Sequence, residues 1–186
     1  MSITYRVAAS IVRLLNIKRL FRMSEAKILA FATKQSNKFR LRLDQFKDYH
    51  CSIEEVDGFK CIKLQATPKP AAKAVLLLYG GGYVTPPDAR DFKIAKRIVD
   101  QTGSDVWFFL YPLILEQTLE VTFEKTHQLY RLMLELYAPE QISILGFSSG
   151  ACLAIGIGQY NNEQRMQLPS PRQIIAVSPG GIPLSL

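Results

Sequence analysis

Five residues, Gly146-Phe147-Ser148-Ser149-Gly150, form a G-x-S-x-G between an apolar run ending at Leu145 and a stretch of helical character. A serine between two glycines at a strand-to-helix turn is the setting that raises a hydroxyl above the carboxyl edge of a sheet as a nucleophile. Gly146 and Gly150 remove side chains where the turn brings strand and helix close together. The positive end of the following helix then lies behind Ser148. An ordinary turn of small residues has the same composition; the strand and helix on either side are what favour the nucleophile.

A second group, Tyr79-Gly80-Gly81-Gly82-Tyr83, follows the apolar run Ala74 to Leu78. Three glycines let backbone N–H groups approach a bound oxygen without Cβ atoms in the way, so the expected chemistry is an oxyanion hole. A dinucleotide-binding loop fits poorly, because G-x-G-x-x-G is not completed and the next apolar run ends in Tyr111-Pro112 rather than at an acid. A P-loop is excluded, since no Gly-Lys-[Ser/Thr] follows. A purely structural glycine turn is the remaining competitor.

These groups need a scaffold, and the chain from residue 48 to 186 reads as one. Cys51 to Val56 and Phe59 to Gln65 are strand-like runs joined by Asp57-Gly58, a dipeptide suited to the positive φ angles of a tight hairpin. Ala66 to Lys73, with Pro68 and Pro70, is a connector. Ala74 to Leu78 is continuous and apolar, as expected of a strand covered on both faces. A helix over Asp88 to Gln101 stops at Gly103, with Asp88 and Asp91 favoured at its start by the dipole. Strands follow at Val106 to Leu110, Ile142 to Leu145 and Gln173 to Val177, with helices over Leu119 to Tyr137 and Ser149 to Tyr160. The fold class is therefore α/β, a mostly parallel sheet entered through an antiparallel hairpin.

The charge lies elsewhere. Of the formal +7 on 186 residues, the segment 1–47 holds eleven Lys and Arg against Glu25 and Asp44, so the rest of the chain is slightly acidic. In that segment Ile3, Val7, Ile11, Leu14 and Phe21 recur at helical spacing with Arg6, Arg13, Lys18 and Arg22 mostly off the stripe, which reads as a basic amphipathic helix. A second helix opens at Ser24 as N-cap, with Ile28, Leu29 and Phe31 as candidate buried positions. The segment is expected to be a cap docked by its apolar stripe, with peripheral contact to an anionic membrane surface as the competing reading. Stacking aromatics and a recognisable nucleic-acid-binding fold are both missing, so no nucleic-acid partner is expected. No apolar run approaches the roughly 18 residues that span a bilayer, and Arg13 interrupts what would be the apolar core of an export signal. Cys51, Cys61 and Cys152 are odd in number and without C-x-x-C spacing, so neither a disulfide framework nor a metal site is expected. Reduced thiols and the absence of an export signal point to a cytoplasmic protein.

Taken together, the G-x-S-x-G and the glycine loop resemble the α/β-hydrolase superfamily, and within it the hormone-sensitive-lipase-like carboxylesterases. The resemblance runs from about Cys51 onward. It implies Ser148 as nucleophile of an acyl-enzyme reaction on a small-molecule ester, an oxyanion hole built from the amides of Gly81, Gly82 and Ser149, and no cofactor. Tyr111-Pro112-Leu113 sits where the family often has Tyr-x-Leu after its fourth strand, and Ser178-Pro179 resembles the segment ending its sixth. Tyr79 stands where the family's motif has histidine, and the proline-rich run usual after the fourth strand is missing. In this fold the acid and the base follow the nucleophile, yet residues 149–186 contain no Asp, no His and a single carboxylate, Glu163. His50 and His127 are the two histidines of the chain, and neither is expected at the site. The chain thus reads as the front part of an esterase, with little activity alone and with Gln173 to Val177 as an open edge prone to pairing with another chain. A catalytically dead hydrolase fold serving as a binding module is the alternative.

Overall fold

The computed structural model describes residues 25–163 and 168–180. The chain divides into two units, residues 1–38 and 39–186. The expected basic amphipathic helix with its apolar stripe from Ile3 to Phe21, and the expected N-cap at Ser24, lie outside the described residues. In the first unit, helix α1 spans Glu25–Lys38. Of its expected buried positions, Leu29 is 40% exposed.

The second unit is built on six strands: β1 (His50–Val56), β2 (Phe59–Gln65), β3 (Ala74–Leu78), β4 (Asp105–Phe109), β5 (Ile142–Phe147) and β6 (Gln173–Val177). Their order across the sheet is β1-β2-β4-β3-β5-β6. The β1–β2 hairpin turns at Asp57 (φ +47°) and Gly58 (φ +86°), as the dipeptide predicts. β2 then runs antiparallel to β4, whereas β4, β3, β5 and β6 are parallel to one another. Every residue of β4 is buried, and β3 nearly so, which is why both strands read as continuous apolar runs.

Helices α2 (Ala89–Thr102), α3 (Leu119–Leu134) and α4 (Ser149–Glu163) connect and cover the parallel strands. Helix α2 packs on β2 and β4, α4 packs on β3, β5 and β6, and α3 packs on α4. Asp88 caps α2 and accepts from the Arg90 amide at 2.7 Å, while the Asp91 carboxylate returns to the Asp88 amide at 2.8 Å. Both acids therefore close the helix start. Gly103 ends it in the left-handed conformation, φ +64°. Helix α3 ends three residues short of the expected Tyr137. That side chain instead turns inward and donates to Asp105 Oδ2 at 2.6 Å.

Asp105 is 1% exposed at the amino end of β4, and its Oδ2 also accepts from Gln65 Nε2 at 2.7 Å and the Ala71 amide at 3.1 Å. Three donors on one oxygen are what makes a buried carboxylate tolerable. This cluster ties β2, β4, the connector and the end of α3 together, at the sheet edge opposite the site described next.

Candidate active site

Parallel strands deliver their following loops to the same edge of a sheet, and β3 and β5 are neighbours with Leu78 opposite Gly146. The glycine loop after β3 and the G-x-S-x-G after β5, more than sixty residues apart in the chain, therefore meet at adjacent strand ends. Ser148 lies at the turn with φ +50°. A left-handed non-glycine residue costs on the order of 1–3 kcal/mol and persists only where its surroundings enforce it. Here the Ser148 amide donates to the Val177 carbonyl of β6 at 3.0 Å, and its own carbonyl accepts from the amides of Ala151 at 3.0 Å and Cys152 at 3.3 Å at the start of α4.

Gly146 and Gly150 fill the roles read from the sequence. A Cβ on Gly146 would lie 2.2 Å from the Gly150 carbonyl oxygen, and one on Gly150 would lie 2.3 Å from that of Leu78. Only glycine allows α4 to start this close to β3 and β5. The fit continues across the loop, because a Cβ on Gly80 would be 3.2 Å from the Ser148 Cβ. On the other side, a Cβ on Gly180 would be 3.3 Å from Ser148 Oγ. Ser148 is half-buried between these glycines, with the first turn of the fifteen-residue α4 behind it.

The three amides expected to form an oxyanion hole lie in two loops brought together by this packing. Gly81 adopts φ +146° and its carbonyl accepts from the Val84 and Thr85 amides and from Thr85 Oγ1, each at 3.2 Å. Ser149 opens α4, where the first amides of a helix have no intrahelical acceptor. The Gly82 amide, at φ +63°, donates to Ser149 Oγ at 3.0 Å. Its proton is thus committed to a side chain that the sequence reading used only for its backbone.

Two tyrosines complete the enclosure. Tyr83 Oη donates to the Ser149 carbonyl at 3.0 Å, and Tyr111 Oη donates to the Tyr79 carbonyl at 2.8 Å. The ring of Tyr79 stacks on that of Tyr111 with centroids 4.2 Å apart and planes 10° from parallel. A buried aromatic stack therefore fixes the loop start where the family motif has histidine. Burial drives the Tyr79, Tyr83 and Tyr111 phenols well above the ordinary tyrosine range, so all three remain protonated, and Tyr83 and Tyr111 keep the protons they donate. The Tyr83 contact carried no signal beyond a tyrosine at the far end of a glycine run.

Neither histidine joins the site. His50 is exposed at the start of edge strand β1, four strand spacings from β5, about 19 Å. His127 is buried on α3 and lines a groove with Tyr130, Ile157, Leu168 and Ile174. Ile174 is three residues before Val177 on β6, placing that groove about 10 Å along the strand from the Ser148 contact.

The strand order, the antiparallel second strand and a left-handed serine after the fifth strand decide the architecture. This is an α/β-hydrolase fold. No family model matches the chain. It is 31% identical over 112 residues to the carboxylesterase/phospholipase LipF of Mycobacterium tuberculosis, covering 59% of this chain and 29% of that one. It is also 31% identical over 108 residues to the esterase LipU of the same organism, covering 58% of this chain and 35% of that one. Among solved structures, an esterase/lipase from an uncultured bacterium superposes with a TM-score of 0.63 at 23% identity, over 84% of this chain and 59% of that one. An esterase of the bacterial hormone-sensitive lipase family gives 0.62 at 21%, over 85% and 59%. The chain thus spans about a third of the curated relatives it matches, and its similarity is to hormone-sensitive-lipase-like carboxylesterases. Among the described residues no helix is long and apolar enough to cross a membrane.

Proposed function

We propose that the chain carries the nucleophilic half of a carboxylic ester hydrolase. The observation that supports this most directly is the left-handed Ser148 at the β5–α4 turn, held against the glycine loop of the neighbouring strand. Strain at a serine between two packed glycines serves acyl transfer, whereas a binding surface has no use for it. In the proposed reaction Ser148 Oγ attacks the ester carbonyl carbon as its proton passes to a base. The C–O bond to the alcohol then breaks with the alcohol protonated, and water hydrolyses the acyl-serine to regenerate Ser148. The developing oxyanion accepts from the amides of Gly81 and Ser149, aided by the positive end of α4. Gly82 is the third expected donor, and its amide is held by Ser149 Oγ in this structure.

The two histidines of the chain lie away from Ser148, so the reaction needs a base that these residues do not supply. Loss of the histidine of a serine triad lowers activity by about 10⁴- to 10⁶-fold and leaves the share due to the oxyanion hole and binding. The test is labelling by a fluorophosphonate probe, with and without added imidazole as an external base, followed by peptide mapping. Labelling at Ser148 that rises with imidazole and vanishes in Ser148→Ala is expected. Labelling that persists in Ser148→Ala, or no labelling of the wild type under either condition, overturns the reading in favour of the binding module.

A further inference from the structure

Ser149 is fully buried, yet it is a polar side chain set against the glycine loop. Three protons, on the Gly82 amide, Ser149 Oγ and Tyr111 Oη, serve three contacts, and assigning one to each fixes their directions. The Gly82 amide can only donate, so Ser149 Oγ accepts from it at 3.0 Å. Tyr111 spends its single phenolic proton on the Tyr79 carbonyl at 2.8 Å, the shorter of its two contacts. The remaining contact, 3.4 Å between Tyr111 Oη and Ser149 Oγ, is then donated by Ser149. The direction is continuous: Gly82 N–H to Ser149 Oγ–H, to Tyr111 Oη–H, to the Tyr79 carbonyl.

This chain of bonds starts at the last glycine of the loop and finishes at the residue that precedes the first. We propose that it is a positioning relay: the hydroxyls of Ser149 and Tyr111 join the two ends of the loop Tyr79–Gly82 and thereby aim the Gly81 amide at the oxygen bound above Ser148. Three successive glycines have no side chains to hold a shape, and two of them, Gly81 and Gly82, adopt positive φ. Val84 and Thr85 hold the Gly81 carbonyl from within the same loop, and a tie to α4 and Tyr111 fixes the loop against the sheet, as an oxyanion donor works only when preorganised. The tie is doubled by Tyr83, whose hydroxyl holds the Ser149 carbonyl from the far side. The middle link, at 3.4 Å, is the longest and weakest of the three. The hydroxyls of Ser149 and Tyr111 are positioning groups, because they act through the glycine backbone, whereas the Ser149 amide is itself a proposed oxyanion donor. The inference rests on the ester-hydrolase reading for its consequence, but not for its existence.

Two readouts separate those two parts. The first is hydrogen exchange and the proton chemical shift of the Gly82 amide in ¹⁵N-labelled protein, compared between wild type, Ser149→Ala and Tyr111→Phe. Ser149→Ala should speed exchange by roughly tenfold or more, since the amide loses its acceptor. Tyr111→Phe, which keeps the aromatic stack and the Ser149 acceptor, should give a smaller increase. The second is the rate of Ser148 phosphonylation in imidazole, expected to fall about tenfold in Ser149→Ala and less in Tyr111→Phe. Unchanged Gly82 exchange in both variants overturns the relay. Altered exchange with unchanged phosphonylation overturns its positioning role, and faster phosphonylation in Ser149→Ala does so too, because the hydroxyl would then be competing with the oxyanion for the amide. If the wild type takes no probe, the ester-hydrolase reading fails, while Gly82 exchange still decides whether the relay exists. Should Ser149→Ala fail to fold, Tyr111→Phe carries both measurements.

Discussion

Helix α4 contains three glycines in three different surroundings, so one substitution repeated along it tests the packing of the site. A Cβ at Gly150 would stand 2.3 Å and 2.4 Å from the carbonyl oxygens of Leu78 and Tyr79, which belong to backbone and cannot rotate aside. At Gly156 it would meet the Phe123 ring on α3 at 2.0 Å, and at Gly158 nothing lies within 4 Å. Replacing glycine by alanine inside a helix stabilises by about 0.5–1 kcal/mol where space allows. Gly158→Ala should therefore raise the melting temperature by about 1–4 °C at 2–4 °C per kcal/mol. For Gly150→Ala the helix start must retreat by roughly 1 Å, at an overpacking cost of about 3 kcal/mol. Set against the propensity gain, the net loss is about 2 kcal/mol, or about 4–8 °C. Gly156→Ala should fall between, because the Phe123 side chain can yield. Thermal unfolding followed by circular dichroism measures all three. The retreat at Gly150 also displaces Ser148, and a shift of that size should reduce its phosphonylation by about 100-fold. A Gly150→Ala protein that melts at or above Gly158→Ala would refute the packing argument.

Asp105→Ala strands the Tyr137 hydroxyl, the Gln65 amide group and the Ala71 N–H, and should cost about 3 kcal/mol in urea unfolding, with a loss under 1 kcal/mol contradicting the account. Alkaline stability follows from burial of the tyrosines. In the unfolded chain they ionise near pH 10, whereas burial raises the folded values of Tyr79 and Tyr111 and pushes Tyr130 up to about 12. Above pH 10 the folded state holds protons that the unfolded state has released, so stability is intact below that pH and falls as pH rises through the folded values. The fully buried pair Tyr79 and Tyr111 should each contribute a slope of about 1.4 kcal/mol per pH unit, and ultraviolet titration should show them ionising only as the protein unfolds. On β6, Ile174, Ile175 and Val177 are 39%, 43% and 39% exposed. Ile175→Lys should lower concentration-dependent association in sedimentation velocity, and unchanged association would dismiss β6 as a pairing edge.

Much of the scaffold was legible because its signals are local. The Asp57-Gly58 turn needs only two residues, the β3 strand announces itself as five apolar ones, and Gly146 is explained by the turn that brings it against Gly150. What stayed hidden depends on contacts between distant segments. Asp105 reads as a polar residue before a strand, and its three donors come from residues 65, 71 and 137. Ser149 was legible as an amide, since any residue after the proposed nucleophile supplies one. Its hydroxyl acquires a role only once Gly82 and Tyr111 are brought to it, and Tyr79 acquires one only by stacking on Tyr111. The expected helix end at Tyr137 missed for the same reason, because the pull of Asp105 on that side chain has no sequence periodicity.

The left-handed backbone of Ser148 also filters which side chains position 148 accepts. Threonine carries the same hydroxyl, but its branched Cβ makes φ +50° a steric outlier, so the chemically nearest replacement is conformationally the poor one. Cysteine differs in its reacting atom yet is unbranched at Cβ. In this turn, a hydroxyl-to-thiol exchange is therefore easier to accommodate than the addition of one methyl group.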